Sequence, residues 1–119
     1  MLKAYNLDIK NFSFGSMPNI DDFMSSHIFK KGQTIFYKGH IPYGLFILLN
    51  GEVEIQYDNK KYQRVSGNVI LGLSAFLKKT PNLTTIKAIS NCNTLFLSNS
   101  VYNELKDDNH PVINWLNSL

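Results

Sequence analysis

The spacing of apolar and polar positions divides this chain of 119 residues into three stretches. In "PNIDDFMSSHIF", residues Ile20, Phe23, Met24 and His27 fall near helical spacing. Pro18 stands at a first turn, with Asp21 and Asp22 early, so a helix of two turns is expected there. Residues 1–17 are polar and aromatic, broken by Gly15 and Ser16, and read as a lead-in segment to a domain spanning 18–119. From Phe29 to Leu97 short β-type runs alternate with turn residues at intervals of about 8–12, the rhythm of a sandwich or barrel.

Within that block "LFILLN" is apolar without interruption, as in a strand buried on both faces. "GEVEIQY" alternates: Val53, Ile55 and Tyr57 face one way, and Glu52, Glu54 and Gln56 the other. "DNKK" turns this strand back into "YQRVS", and Gly67 and Asn68 turn the chain again into "VILG". "TTIKAIS", the turn "NCN" and "TLFLS" read as a further hairpin. Only a short helical turn, near Ser74 to Leu77, is expected between Gln33 and Leu97. No crossover helix fits there, which argues against a parallel α/β sheet. Helical spacing returns in "SNSVYNELKDD", capped by Ser98 or Ser100 and striped by Val101, Tyr102 and Leu105. Pro111 opens a second short helix, in which Trp115 and Leu116 read as core or capping residues.

Composition adds bounds. An apolar fraction of 44% in 119 residues suits one domain with a real core. The net charge of +3 comes almost entirely from lysine, with Arg64 the sole arginine. The pairs Lys30-Lys31, Lys60-Lys61 and Lys78-Lys79 lie far apart and form no nucleic-acid arm. Cys92 has no second cysteine to pair with, which fits a reducing cytoplasm, and its turn predicts an exposed or half-buried thiol. No apolar run reaches the roughly 18 residues a membrane span needs, so no membrane partner is expected.

Catalytic chemistry finds little support. His27, His40 and His110 are scattered, without a second ligand at metal spacing, so no metal is expected. Cys92 has no neighbouring histidine, Ser74 lacks the glycine of a nucleophile elbow, and Glu52 and Glu54 read as solvated on one strand face. No catalytic residue is assigned, and an enzyme is not expected.

The glycines carry more. "FKKGQTIFYKGHIPYGLFILLNGEVEI" resembles the first half of a cyclic-nucleotide-binding domain of the catabolite-activator type. Gly32, Ile35-Phe36, Gly39, Leu45-Phe46, Leu48 and Gly51 match that family's outline in order and spacing, and the resemblance extends from about Ile20 to Leu116. It implies a mainly β fold: an antiparallel β-roll of the jelly-roll type with short flanking α-helices. It also implies a cytoplasmic regulatory or sensor role.

"GLSAFLKKTPNLTT" stands where the family holds its ligand. There the family runs from a Gly-Glu pair, through a short apolar helix, to an Arg followed by small residues and an aliphatic strand. Helix N–H groups receive the cyclic phosphate, the Arg forks onto its oxygens, and the Glu accepts from the ribose hydroxyl. In this sequence Gly72 matches the glycine, Ser74, Ala75 and Phe76 the short helix, and Ile86 and Ala88 the strand. Leu73 stands in the place of the Glu. Asn82, or Leu83 if the register slips by one, stands in the place of the Arg, and Thr84 and Thr85 replace the small pair.

The ligand-binding positions the resemblance implies are therefore Gly72, Leu73, Ser74, Ala75, Asn82, Leu83, Thr84 and Thr85, with both charged groups replaced. Loss of one partner of a buried charge pair costs about 2–5 kcal/mol. No cofactor is expected, and ordinary cyclic-nucleotide affinity is expected to be lost or altered. One reading is an apolar, collapsed pocket filled by Leu73 and Leu83, in a domain that acts through another protein. The alternative is a sensor for a cyclic nucleotide or other small anion, held by Ser74, Asn82, Thr84, Thr85 and Lys78 or Lys79. A glutamate at 73 with an arginine at 82 is expected to restore affinity. Residues 111–119 are too few for a dimerising arm and a helix-turn-helix, so DNA binding by this domain alone is not expected.

Overall fold

The computed structural model describes residues 9–11, 22–57 and 62–118. Among them the chain forms two antiparallel sheets and three short helices. The first sheet contains β1 (Ile9–Asn11), β7 (Val69–Leu71), β4 (Gly44–Asn50), β9 (Cys92–Ser98) and β2 (Ser25–Phe29), in that order. The second contains β3 (Thr34–Phe36), β8 (Thr85–Ala88), β5 (Glu52–Gln56) and β6 (Tyr62–Ser66). From β2 onward the chain changes sheet at each connection except the β5–β6 hairpin, which makes the β-roll the resemblance implied.

Strand alternation places two cores. On β4, Phe46 and Leu48 enter the space between the sheets, where they meet Phe36, Val53, Ile55, Val69, Leu71 and Ile86. Leu45 and Ile47 of the same strand face outward, onto the helices. The unbroken apolar run is thus a strand buried on both faces, with Gly44 to Leu48 all buried. Over the outer face of the first sheet lie α1 (Leu73–Lys78), α2 (Asn99–Asp107) and α3 (Pro111–Ser118), packed through Leu73, Phe76, Val101, Tyr102, Val112 and Leu116. Each fully buried leucine or phenylalanine here stabilises by about 1.5–3 kcal/mol. The caps read from sequence are formed: the Val101 N–H donates to Ser98 Oγ at 3.1 Å. At α3 the Val112 N–H donates to His110 Nδ1 at 3.1 Å, so the histidine before proline serves as a cap.

Four sequence expectations change. The helix expected over 18–29 is not formed in its second half; residues 18–21 lie outside the described residues, and Ser25–Phe29 is a strand. Its backbone pairs with β9 from Ser25↔Phe96 to Phe29↔Cys92, and this sheet pairing outweighs a weak helical stripe; within the strand Phe29 alone is buried. Within the lead-in segment, Ile9–Asn11 pairs with β7 as an edge strand. β8 and β9 do not form a hairpin, because they belong to different sheets and residues 89–91 carry the chain from one to the other. Cys92 is fully buried, because it opens β9 inside the roll instead of sitting in a turn. Burial pushes its thiol pKa up, against hydrogen bonds with the Ser90 side chain and with the backbone of Glu52 and Ser90 that pull it down. The turn expected at 58–61 lies outside the described residues.

Gly51 explains one end of the roll. Its φ is +103°, and a Cβ there would sit 2.6 Å from the Asn91 carbonyl oxygen. The β4–β5 and β8–β9 crossings touch at this point. They are joined by the Glu52 N–H donating to Ser90 Oγ at 2.9 Å and Asn93 Nδ2 donating to Asn50 Oδ1 at 2.8 Å.

Candidate functional site

The stretch from 72 to 85 lies at the opposite end of the roll. β7 ends at Leu71, and Gly72 turns with φ +80° into α1. Lys79, also left-handed, closes that helix with its N–H on Ala75 O. Residues after the helix run back along the loop that follows β3. The Gly39 N–H donates to Asn82 O at 2.8 Å, the Asn82 N–H to His40 O at 2.9 Å, and the Lys38 N–H to Thr85 Oγ1 at 3.0 Å. Glycine at 39 and the turn at 81–84 are therefore two sides of one backbone clasp.

The structure separates the eight predicted positions. Leu73 and Ala75 are 3% exposed; Leu73 joins the helix-covered core with Met24, Leu45 and Ile70, turned away from the roll interior. Leu83 is 59% exposed. The pocket filled by Leu73 and Leu83 does not form, because α1 holds one side chain in the core and the clasp turns the other to solvent. Asn82 is buried, and its Nδ2 makes a long contact of 3.5 Å with Tyr37 O. Ser74 is half-buried, and Thr85 is half-buried with its hydroxyl taken by Lys38.

Gly72 and Thr84 face the interior. A Cβ on Gly72 would stand 2.7 Å from the Phe36 ring, so a side chain at 72, not 73, would enter the roll there. Thr84 is 3% exposed and continues the inward alternation of Ile86 and Ala88. Among the described residues its hydroxyl has no hydrogen-bond partner. Sequence reading named both as ligand positions without setting them apart from their neighbours. Counting back by two from Ile86 would have placed Thr84 inward; nothing in the sequence announced that Phe36 reaches Gly72.

The three histidines remain apart. The His27 ring lies tilted against Phe29 at 4.5 Å, His40 lies 5.4 Å from Tyr37, and His110 caps α3 beside Phe23. Among the described residues no group of three His, Cys, Asp or Glu side chains is placed to hold a metal. No helix among the described residues is long and apolar enough to cross a membrane. Two cavities, of about 550 and 450 Å³, open elsewhere on the molecule, and neither is lined by residues 72–85. The stretch does touch the C-terminal helices: the rings of Phe76 on α1 and Tyr102 on α2 meet edge to face at 4.9 Å.

A β-roll with a glycine-led short helix between β7 and β8 defines a class of small-ligand regulatory domains. The cyclic nucleotide-binding domain family model matches residues 26–109, and the chain belongs to that family. Its fold is similar to the catabolite activator protein of Thermus thermophilus, with 17% identity, TM-score 0.70, and coverage of 87% of this chain and 53% of the other. The chain thus spans about half of that protein. It is also similar to a solved structure from a cyclic-GMP-dependent signalling pathway that regulates bacterial phytopathogenesis (13% identity, TM-score 0.76, 89% and 88% covered). A third likeness is to the second cyclic-nucleotide domain of a PKAR bound to Sp-2Cl-cAMPS (27% identity, TM-score 0.63, 79% and 68% covered). No curated protein matches.

Proposed function

We propose that this chain is a non-catalytic regulatory domain whose ordinary cyclic-nucleotide affinity is lost or altered, and which acts through contact with another protein. The observation behind this reading is the absence of a fixed charge at the ligand end. Residues 72–85 contain no Arg, Asp, Glu or His, and Asn82 is engaged in the loop clasp. Lys78 and Lys79 lie at the far end of α1, on long, strongly hydrated stems. Without a guanidinium fork, a cyclic phosphate loses about 2–5 kcal/mol of interaction, which moves micromolar binding toward millimolar.

One observation favours a second reading. A buried hydroxyl without a partner costs about 1–3 kcal/mol, and a bound ligand oxygen removes that cost. Thr84 is such a hydroxyl, buried two residues before the inward-facing Ile86. It supports a sensor that reads an altered ligand with neutral donors in place of arginine.

Calorimetric titration with cyclic AMP, cyclic GMP and cyclic dinucleotides separates the two. Lost affinity predicts dissociation constants at or above the high-micromolar range, insensitive to Thr84→Val. Micromolar binding that Thr84→Val weakens by tenfold or more establishes the sensor and overturns the first reading.

A further inference from the structure

Away from the ligand end, a cavity of about 550 Å³ opens between the start of β2, the end of β9 and α2. That volume lies within the range of sites that take a ligand or an anchoring side chain. Met24, Phe96, Val101 and Leu105 supply its apolar surface, and Asp22 and Glu104 supply its charge. Among the described residues no lysine, arginine or histidine lines it, and neither carboxylate has an ion-pair partner. This acidity runs against the chain as a whole, whose net charge is +3.

Helix stability does not account for it. Glu104, Asp107 and Asp108 sit in the last turn of α2 and at its cap, where the helix dipole disfavours anions, and Lys106 is the lone basic residue there. Carboxylates kept at an unfavourable helix end, beside open apolar surface, match a cationic partner. Residues 12–21, which precede Asp22, contain no lysine, arginine or histidine, so they do not offer that cation.

We infer that this groove docks a basic amphipathic segment of another protein, with apolar side chains on Met24, Phe96, Val101 and Leu105 and a lysine or arginine reaching Asp22 and Glu104. The mode is a helix laid in a groove, with its register set by charge. Tyr102, one residue along α2 from Val101, touches Phe76 of the ligand-end helix, so the groove shares a helix with the site described above.

The test uses the full chain and a fluorescent amphipathic peptide of leucine and lysine, about 14 residues long, read by polarisation. A leucine–glutamate peptide of the same pattern and spermine alone serve as comparators. The expected result is binding of the leucine–lysine peptide at least tenfold tighter than either comparator, weakening as salt rises. Asp22→Asn with Glu104→Gln lowers it at least fivefold while the melting temperature stays unchanged. Equal binding of the glutamate peptide, or no loss in the Asp22/Glu104 variant, overturns the inference. Spermine binding as tightly as the peptide overturns it too, by showing a pocket for small cations.

Discussion

The two ends of the β-roll are built from the same residue types and do different things. At the crossing end, Gly51 packs directly on the backbone of Asn91 and Cys92, and side-chain amides and hydroxyls of Asn50, Ser90 and Asn93 bind the crossings to one another. At the proposed ligand end, Gly72 packs on a phenyl ring, and the clasp between residues 38–40 and 82–85 is tied largely by backbone. The first end makes the fold. At the second, among the described residues, Gly72 meets the Phe36 ring and the buried Thr84 hydroxyl has no partner, and residues 72–85 contain no Arg, Asp, Glu or His. Glycine spacing therefore reports architecture, and ligand chemistry has to be read from the residues between the glycines.

The largest effect expected on this contrast comes from Leu73→Glu. The side chain lies in the core under the helices, 3% exposed, so a carboxylate there meets Met24, Leu45 and Ile70. The expected loss is about 4 kcal/mol or more, and affinity is not restored. Urea denaturation measures it. A variant as stable as the native chain that binds cyclic AMP would place residue 73 at the ligand after all, and the ends would no longer differ in this way.

Gly51→Ala against Gly72→Ala comes next. Both carry positive φ, so both incur about 1–2 kcal/mol of backbone strain. At Gly51 the added Cβ meets carbonyl and Cα atoms that cannot move without shifting two crossings, adding about 1–3 kcal/mol. At Gly72 it meets the edge of a ring that can tilt. Paired thermal melts are expected to show Gly51→Ala as the worse by about 1–2 kcal/mol. Equal losses would mean the ligand end is as rigid as the crossing end.

Much of this was legible in advance, for physical reasons that differ by element. β4 and β5 were plain because burial on two faces and on one face leave different residue patterns. α2 and α3 were plain because Ser98 and Pro111 are local signals for helix starts. β2 was misread because its partner, β9, lies about 67 residues away in sequence, and local spacing carries no trace of it. The β8–β9 connection was misread because a turn sequence does not say whether the chain stays in its sheet. At the candidate site, the lack of Arg, Asp, Glu and His in residues 72–85 was legible as residue types. The side-chain directions were not, since Leu73 and Gly72 exchange roles through a rotation about the helix start that only packing decides.

The smallest effect predicted is also the most direct probe of the ligand end. The resemblance sets Asn82 in place of the family's arginine, and its backbone already closes the clasp, through the N–H on His40 O and the carbonyl taken by Gly39. Those bonds survive any side-chain change. The amide adds only the long contact with Tyr37 O. Asn82→Ala is therefore expected to cost about 0.5–1.5 kcal/mol, a shift of roughly 2–8 °C in melting temperature, with the loop conformation kept. Asn82→Arg removes the same contact and adds a guanidinium. If the interior beside Gly72 is open, cyclic AMP affinity rises about tenfold or more in that variant and not in Asn82→Ala. If Phe36 has closed it, the two variants titrate alike. A loss of several kcal/mol on Asn82→Ala would instead make residue 82 a structural post, and the ligand end would then hold the roll together as firmly as the crossing end does.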